Sequence, residues 1–86
     1  MAEEKEIGIV EHYFSHIQVA AIKLTADNLK PGETIHIKGH TSDFIQNVDT
    51  IQLDKKPVSE AKMGQSVGIK VKEHTREHDK VFKVTG

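Results

Sequence analysis

The stretch that decides the fold is Leu29-Lys30-Pro31-Gly32-Glu33-Thr34-Ile35-His36-Ile37-Lys38. Pro31 fixes φ near the value that the second position of a β-turn needs, and Gly32 tolerates the positive φ that the third position can require. After this turn the residues alternate, with Ile35 and Ile37 on one side and polar residues on the other. Period two is the period of a β-strand with one buried face. The stretch therefore predicts a chain reversal followed by a strand.

The same alternation recurs before and after this stretch. The predicted strands are residues 7–14, 17–24, 33–38, 44–53, 66–72 and 80–85. The first two are joined by a short connection at Ser15-His16, which favours a hairpin. Six or so short strands at this spacing are typical of an antiparallel barrel or sandwich. The sequence therefore predicts an all-β fold with a buried inner face.

One predicted segment cannot be a single regular strand. Phe44, Gln46 and Val48 share one parity, whereas Ile51 and Leu53 fall on the other. A strand buries alternate residues, so one extra residue is needed between the two sets. We therefore predict a β-bulge between Val48 and Ile51.

The residues that follow this segment predict its end and the next connection. Lys55-Lys56-Pro57 should end the strand, because proline cannot donate to a β-ladder. Residues 58–63 have the length of one helical turn, which we predict there, and Gly64 would end that turn.

The length and composition are those of one small domain. We expect residues 1–86 to form one domain, because 86 residues suffice for a single hydrophobic core. The chain has 12 basic and 13 acidic residues and a formal charge of −1, so its net charge does not draw it to polyanions. It has no Cys. Its first residues are acidic and contain no apolar signal segment, and we expect residues 1–4 to be flexible. We expect a cytoplasmic protein that has no contact with a membrane.

No sequence motif points to catalysis or to nucleotide binding. The phosphate-binding patterns Gly-x-x-x-x-Gly-Lys-Ser/Thr and Gly-x-Gly-x-x-Gly are both absent. Ser15 and His16 are adjacent, which places their side chains on opposite faces of a strand. Asp and Glu residues are scattered singly, without the pairing used in acid–base catalysis. We therefore expect no enzymatic activity, no cofactor and no nucleotide bound by this chain.

Histidines occur in pairs at a spacing of four residues. The pairs are His12 and His16, His36 and His40, and His74 and His78. Four residues of a strand span about 13 Å, which is too far for two ligands of one metal ion. Only a loop can bring such a pair together, and His74 and His78 lie in a polar segment beside Glu77 and Asp79. They are weak candidates for a metal site. The alternative is a solvated loop, and we assign no metal.

Basic residues are concentrated in the second half of the chain. Residues 44–86 carry a formal charge of +2, and residues 1–43 carry −3. A cationic strip that attracts phosphate could be formed by Lys55, Lys56, Lys70, Lys72 and Arg76. The alternative is that these residues only keep the surface soluble.

Three motifs with matching separations resemble the second domain of translation GTPases, a family that includes elongation factor Tu. They are a Lys-Pro-Gly-Glu-Thr turn at 30–34, a Val-x-x-Ile-Gln-x-x-x-x-Pro-Val stretch at 48–58, and an Ala-x-x-Gly-x-x-Val-Gly stretch at 61–68. The resemblance extends over residues 5–85. It implies a closed antiparallel β-barrel of six to seven strands with Greek-key-type connections.

In that family the second domain is noncatalytic and contacts the acceptor end of tRNA or ribosomal RNA. The matching positions are Gln52, Asp54, Lys55, Gln65 and Ser66, with Lys56 beside them to meet phosphate. The GTPase domain of the family has no counterpart in these residues. The resemblance therefore implies a noncatalytic RNA-binding module. The alternative is a protein adaptor whose barrel docks on a GTPase or on another polypeptide.

Overall fold

The computed structural model describes residues 3–85, which form β-strands and their connections without a helix. The strands are β1 (Glu3–Phe14), β2 (Val19–Leu24), β3 (Thr34–Lys38), β4 (Asp43–Asn47), β5 (Ile51–Leu53), β6 (Lys56–Val58), β7 (Ser66–Lys70) and β8 (Lys80–Thr85). All paired strands are antiparallel. The prediction of an all-β fold is confirmed, with eight strands in place of six or seven.

All eight strands belong to one sheet. Their order across it is β4-β3-β8-β1-β2-β7-β5-β6, so β4 and β6 are the edges. The predicted hairpin between the first two strands is present, since Tyr13 pairs with Ala20 and Phe14 pairs with Val19. The first and last strands, β1 and β8, are paired in the middle of the sheet.

The sheet does not close through strand pairing. Within residues 3–85 no ladder joins β4 to β6, so the closed Greek-key-type barrel that the resemblance implied is not confirmed. The side chain of Gln46 in β4 nevertheless binds the main chain of Lys70 and Lys72, at the end of β7. The sheet must curl strongly for this contact, because four strands separate β4 from β7 in the order.

Strand β1 bends because it contains two irregularities. Its register with β8 shifts between Glu6 and Gly8, and its register with β2 shifts between Val10 and His12. A β-bulge bends its strand and increases the local twist. Gly8 suits this bend, because a β-carbon there would lie 2.5 Å from the carbonyl oxygen of Lys23. The bulges therefore allow one long strand to curl with both of its neighbours.

Alternate residues of the strands form one buried core. The largest fully buried side chains are Ile7, Val10, Ile22, Leu24, Leu29, Ile35, Ile37, Val48, Ile51, Ile69, Val71 and Val81. Ile35 and Ile37 are among them, as the alternation at 33–38 predicts. Each such side chain stabilises the fold by about 1.5–3 kcal/mol when it leaves water.

The predicted bulge between Val48 and Ile51 is wrong. Residues 48–50 connect β4 to β5, which lie far apart in the sheet. The N–H of Val48 donates to the carbonyl oxygen of Glu33 at 2.8 Å, and the carbonyl oxygen of Val48 accepts the N–H of Gly32 at 2.7 Å. The change of parity is therefore absorbed by a break between two strands and not by an extra residue within one strand.

The connection from β5 to β7 also differs from the sequence prediction. Pro57 lies within β6, because an edge strand tolerates a residue without an N–H. No helical turn forms at residues 58–63. Ala61 instead pairs with Leu29 in an isolated bridge, with N···O distances of 2.7 and 2.8 Å. Main-chain bonds to a distant segment thus replace the local bonds of a helical turn.

The expectation of a flexible start concerns residues 1–4. Glu3 and Glu4 lie in β1 and pair with Thr85 and Val84 of β8, whereas residues 1 and 2 lie outside the described range. In the part of the chain that the structure describes, no helix has the length and apolar character needed to cross a membrane.

Candidate functional site on the outer face of the sheet

Four of the six residues singled out by the resemblance line one surface cavity of about 330 Å³. They are Gln52, Asp54, Lys55 and Ser66. Strands β5 and β7 bring them together, since Gln52 pairs with Gly68. We call this cavity the outer groove; its other lining residues are Phe14, Ile17, Val19, Ala21, Val67 and Gly68.

Asp54 and Lys55 form the two-residue turn between β5 and β6. Their φ values are 52° and 67°, in the left-handed region that a type I′ turn requires at both positions. Asp adopts this region more readily than Lys does, so Lys55 carries local strain. Leu53 and Lys56 pair on either side of the turn and hold it closed. The hairpin therefore fixes two charged residues beside the outer groove.

Small residues form the floor of the outer groove. Ala21 of β2 pairs with Gly68 of β7, and Gln52 of β5 pairs with Gly68 from the other side. Side chains stand roughly perpendicular to a sheet, but these two floor positions supply only a methyl group and a hydrogen atom. A β-carbon at position 68 would come within 3.2 Å of Cγ1 of Val19. The hollow therefore exists because residue 68 has no side chain.

Two exposed apolar side chains form a wall of the outer groove. Phe14 ends β1 and Ile17 lies in the turn at 15–18, and they are 46% and 61% exposed. Sequence reasoning named neither residue as part of a site. One signal was available for Phe14. Neighbours in a strand face opposite sides, so Tyr13 and Phe14 cannot both point into the core.

Gln65 and Lys56 are not among the lining residues of the outer groove. The Oε1 atom of Gln65 accepts the N–H of Lys62 at 2.9 Å, across the turn in which Gly64 has a φ of 95°. Lys56 belongs to the edge strand β6. The structure therefore gives Gln65 a local role in a turn, and neither residue lines the groove.

The weak metal candidates, His74 and His78, have other contacts. The ring of His74 lies against Tyr13, with ring centroids 4.6 Å apart. His78 has a φ of 74°, and its main-chain N–H donates to the carbonyl oxygen of Val10 at 2.8 Å. Within residues 3–85 no group of three or more His, Asp and Glu side chains could hold a metal ion. Both histidines therefore contribute to the packing of their loop on β1.

His36 of β3 bridges two carboxylates outside the groove. Its Nε2 bonds to Oδ1 of Asp43 at 2.5 Å, and its Nδ1 bonds to the carboxylate of Glu4 at 2.9 Å. The bond to Asp43 first, and then Glu4, raises the pKa of His36 above 6.5 against the opposing effect of burial. The bond from His36 in turn lowers the pKa of Asp43 below 3.8. The three side chains tie β1 to the β3–β4 edge.

Asp27 joins a second cluster of charges. Its Oδ1 accepts the main-chain N–H of Asn28 at 2.7 Å, and its Oδ2 lies 3.4 Å and 3.5 Å from the Nζ atoms of Lys5 and Lys83. The backbone bond, followed by the two lysine charges, lowers the pKa of Asp27 below 3.8. This cluster fixes the connection after β2 and does not reach the outer groove.

The chain is similar in sequence to part of several larger proteins. It is 40% identical over 78 residues to an uncharacterized protease of Methanocaldococcus jannaschii, covering 90% of this chain and 19% of that protein. It is 36% identical over 72 residues to a collagenase of Porphyromonas gingivalis, covering 83% of this chain and 20% of that protein. The chain thus spans about a fifth of the length of the curated relatives it matches. No protein-family model matches it.

The fold matches the C-terminal domain of a Geobacillus thermoleovorans protein assigned provisionally to the U32 peptidases. One crystal structure of that domain has a TM-score of 0.85 and 21% identity, covering 92% of this chain and 91% of that chain. The structure of its selenomethionine variant has a TM-score of 0.84 and 20% identity, covering 90% and 96%. The two domains therefore share one fold over nearly their whole length.

These similarities overturn the resemblance to the second domain of translation GTPases. The relatives are an uncharacterized protease and a collagenase, and the matching domain comes from a protein assigned provisionally to the U32 peptidases. The motifs at 30–34 and 61–68 describe how a small antiparallel sheet reverses direction, with Gly32 and Gly64 at positive φ, and such turns are not specific to one family. The interpretation as a translation-factor-like, RNA-binding module is wrong. Nothing specific supports the alternative of an adaptor that docks on a GTPase.

Proposed function

We propose that this chain is a noncatalytic accessory domain of a peptidase, and that it binds the polypeptide substrate in the outer groove. The main support is its identity of 40% and 36% to parts of a protease and a collagenase. The matching fold is a C-terminal domain of a protein assigned to the U32 peptidases. A binding domain of this kind raises the local concentration of substrate near a catalytic domain.

The outer groove suits one apolar side chain of an extended polypeptide. Ligand sites are mostly apolar, with a few polar groups that orient the ligand. Phe14 and Ile17 supply apolar surface, and the floor at Gly68 leaves room for a side chain. The amide of Gln52 can donate to and accept from a peptide group. Such contacts recognise a polypeptide without demanding one sequence.

Two serines support the noncatalytic part of the proposal. Ser66 lines the outer groove, but no His is among the lining residues, so no imidazole lies there to accept a proton from its hydroxyl group. The hydroxyl group of Ser42 donates to the carbonyl oxygen of His74 at 3.5 Å. We therefore assign peptide-bond cleavage to a catalytic domain outside these residues.

Binding of fluorescein-labelled gelatin fragments, measured by anisotropy, tests the groove. Ile17→Ala should weaken binding about fivefold, because about 1 kcal/mol of apolar contact is lost. Ile45→Ala is the matched control, since Ile45 is 48% exposed but lies in β4, away from the groove. Equal effects of the two changes, or no binding by the unaltered chain, would contradict the proposal.

A second variant and a cleavage assay complete the test. Gly68→Leu fills the floor of the groove and should abolish gelatin binding while the far-UV spectrum stays that of a β-sheet. The chain alone should release no fragments from labelled casein. Fragment release that copurifies with the chain through repeated chromatography would overturn the noncatalytic assignment.

A further inference from the structure

The side chain of Gln46 takes the position of a missing strand. Its Nε2 donates to the carbonyl oxygen of Lys70 at 2.9 Å, and its Oε1 accepts the N–H of Lys72 at 2.8 Å. On the opposite side of the same segment, the N–H of Val71 donates to the carbonyl oxygen of Gln18 at 2.9 Å. Residues 70–72 therefore continue β7, with main chain on one side and a single side-chain amide on the other.

This position is open because β5 stops short. The ladder between β5 and β7 ends at the pair Ile51 and Ile69, and residues 48–50 then leave towards β4. A neighbouring strand that continued the ladder would bond the same main-chain groups that Gln46 now bonds. A surface cavity of about 440 Å³ lies here, lined by parts of β4, the 48–50 connection and residues 70–72. The incompletely paired edge of residues 70–72 therefore has open space beside it.

The charge of this edge favours an acidic occupant. Lys70 and Lys72 are exposed while Val71 between them is buried, so both lysines lie on the outer side. Within residues 3–85 neither lysine forms an ion pair, although Asp49 lines the same cavity. Alternate residues of an extended chain are about 6.6 Å apart on one face. Acidic side chains at alternate positions of an extended peptide would therefore match the two lysines.

We infer that residues 70–72 are a strand-addition site for an extended, acidic segment of a polypeptide, whose main chain replaces the amide of Gln46. The inference rests on the proposed function, because it takes this segment to be part of the polypeptide substrate. The site adjoins the outer groove. Ile17 lines the groove, whereas the next residue, Gln18, lines the cavity beside residues 70–72. Gly68, in the floor of the groove, lies two residues before Lys70 on β7. The two surfaces are therefore adjacent.

The probe is a fluorescein-labelled peptide that has Glu at every second position and Thr or Val at the positions between. Fluorescence anisotropy measures its binding to the full chain. Gln46→Ala should tighten binding about threefold, because the competing amide is gone. Ile45→Ala, the neighbouring change on the same strand, should leave binding unchanged. The peptide with methyl groups on alternate main-chain nitrogen atoms should bind about tenfold more weakly, because strand addition depends on main-chain hydrogen bonds. Equal binding of the methylated and unmethylated peptides would overturn the inference.

Two matched lysine pairs test the role of charge. Replacing Lys70 and Lys72 by Gln should weaken peptide binding about tenfold. Replacing Lys30 and Lys62 by Gln, which are exposed and line neither cavity, should change it less than about twofold. Both variants lose the same charge. Equal weakening would show a general charge effect and would also overturn the inference.

An NMR titration of the unaltered chain does not depend on the folding of any variant. Addition of the peptide should shift the main-chain N–H signal of Lys72 and the side-chain NH₂ signals of Gln46. Both groups would change hydrogen-bond partners when the peptide main chain replaces the amide of Gln46. Shifts that spare both groups would refute strand addition. If the peptide fails to bind while Ile17→Ala still weakens gelatin binding, this inference fails and the proposed function stands.

Discussion

The carboxylate of Asp79 lies against the α-carbon of Gly39, in the space that a side chain at position 39 would occupy. Asp79 is only 4% exposed, and its Oδ2 accepts the main-chain N–H of Arg76 at 2.9 Å. The N–H of Gly39 donates to the carbonyl oxygen of Ser42 at 2.7 Å. The connection between β3 and β4 is thus packed on the connection between β7 and β8 through a buried carboxylate and a glycine.

Gly39→Ala should lower the free energy of unfolding by about 1–3 kcal/mol, the usual effect of forcing extra volume into a packed site. The new β-carbon would overlap Oδ1 of Asp79, which is held by its bond to Arg76. Urea unfolding followed by circular dichroism measures the change. Adding Asp79→Ala should recover part of the loss from the overlap. An unchanged midpoint for Gly39→Ala would show that the two loops are not packed in this way.

Stability should fall as the pH rises through the raised pKa of His36. Its folded pKa lies above the ordinary 6.5, so the stabilisation is fully present below pH 6.5 and is lost as the pH passes the folded value. The pKa of Asp43 is lowered below 3.8, so its contribution is present above that value and is lost on further acidification. The pair therefore contributes most between about pH 4 and pH 6.5.

Thermal unfolding at a series of pH values measures this dependence. His36→Gln should remove part of the decline above pH 6.5, because the group that releases the proton is gone. His16→Gln, a change in the exposed turn at 15–18, should keep the profile of the unaltered chain. Identical profiles for the unaltered chain and His36→Gln would exclude the bridge as the cause.

Lys55→Gly should raise the free energy of unfolding by about 1 kcal/mol, because a side chain in the left-handed region costs about that much. Lys55 has a φ of 67°, and Asp-Gly is a favoured pair for a type I′ turn. Lys56→Gly removes the same charge in β6, where it should lower stability by about 0.5–1 kcal/mol. Denaturant midpoints distinguish the two. A gain in both variants would assign the effect to charge and not to the turn.

Ile22→Ala should lower the free energy of unfolding by about 2–5 kcal/mol, since it leaves a cavity in the core. Ile22 is fully buried in β2, whereas Ile45 in β4 is 48% exposed. Ile45→Ala should therefore change stability by less than about 0.5 kcal/mol. Equal losses in denaturant unfolding would be incompatible with a core on one face of the sheet.

Local sequence predicts the parts of the fold that depend on neighbours in the chain. The reversal at Pro31-Gly32 and the strands at 33–38 and 80–85 are of this kind, and the structure has strands at Thr34–Lys38 and Lys80–Thr85. The break at residues 48–50 is different. It depends on which strands β4 and β5 pair with, and distant residues decide that. The parity change was visible in the sequence, but its resolution was not.

The candidate site could be predicted only in part. Gln52 and Ser66 line the same groove as the 54–55 turn, because a hairpin beside a third strand brings such positions together in many small sheets. The resemblance that selected these residues is nevertheless wrong, since one fold can serve many functions. Phe14 and Ile17 line the same groove but were not among the predicted site residues. The role of Gln46 depends on partners 24 and 26 residues away, and no local pattern encodes such a contact.

Pro57 gives the two margins of the sheet different tendencies to self-associate. An unpaired margin with free N–H and C=O groups can recruit another copy of the same chain and start aggregation. Strand β6 is three residues long and combines a proline with the charged Lys56, which blunts that margin. Strand β4 carries the exposed Ile45 instead. Fibrillation at high concentration should therefore begin at β4.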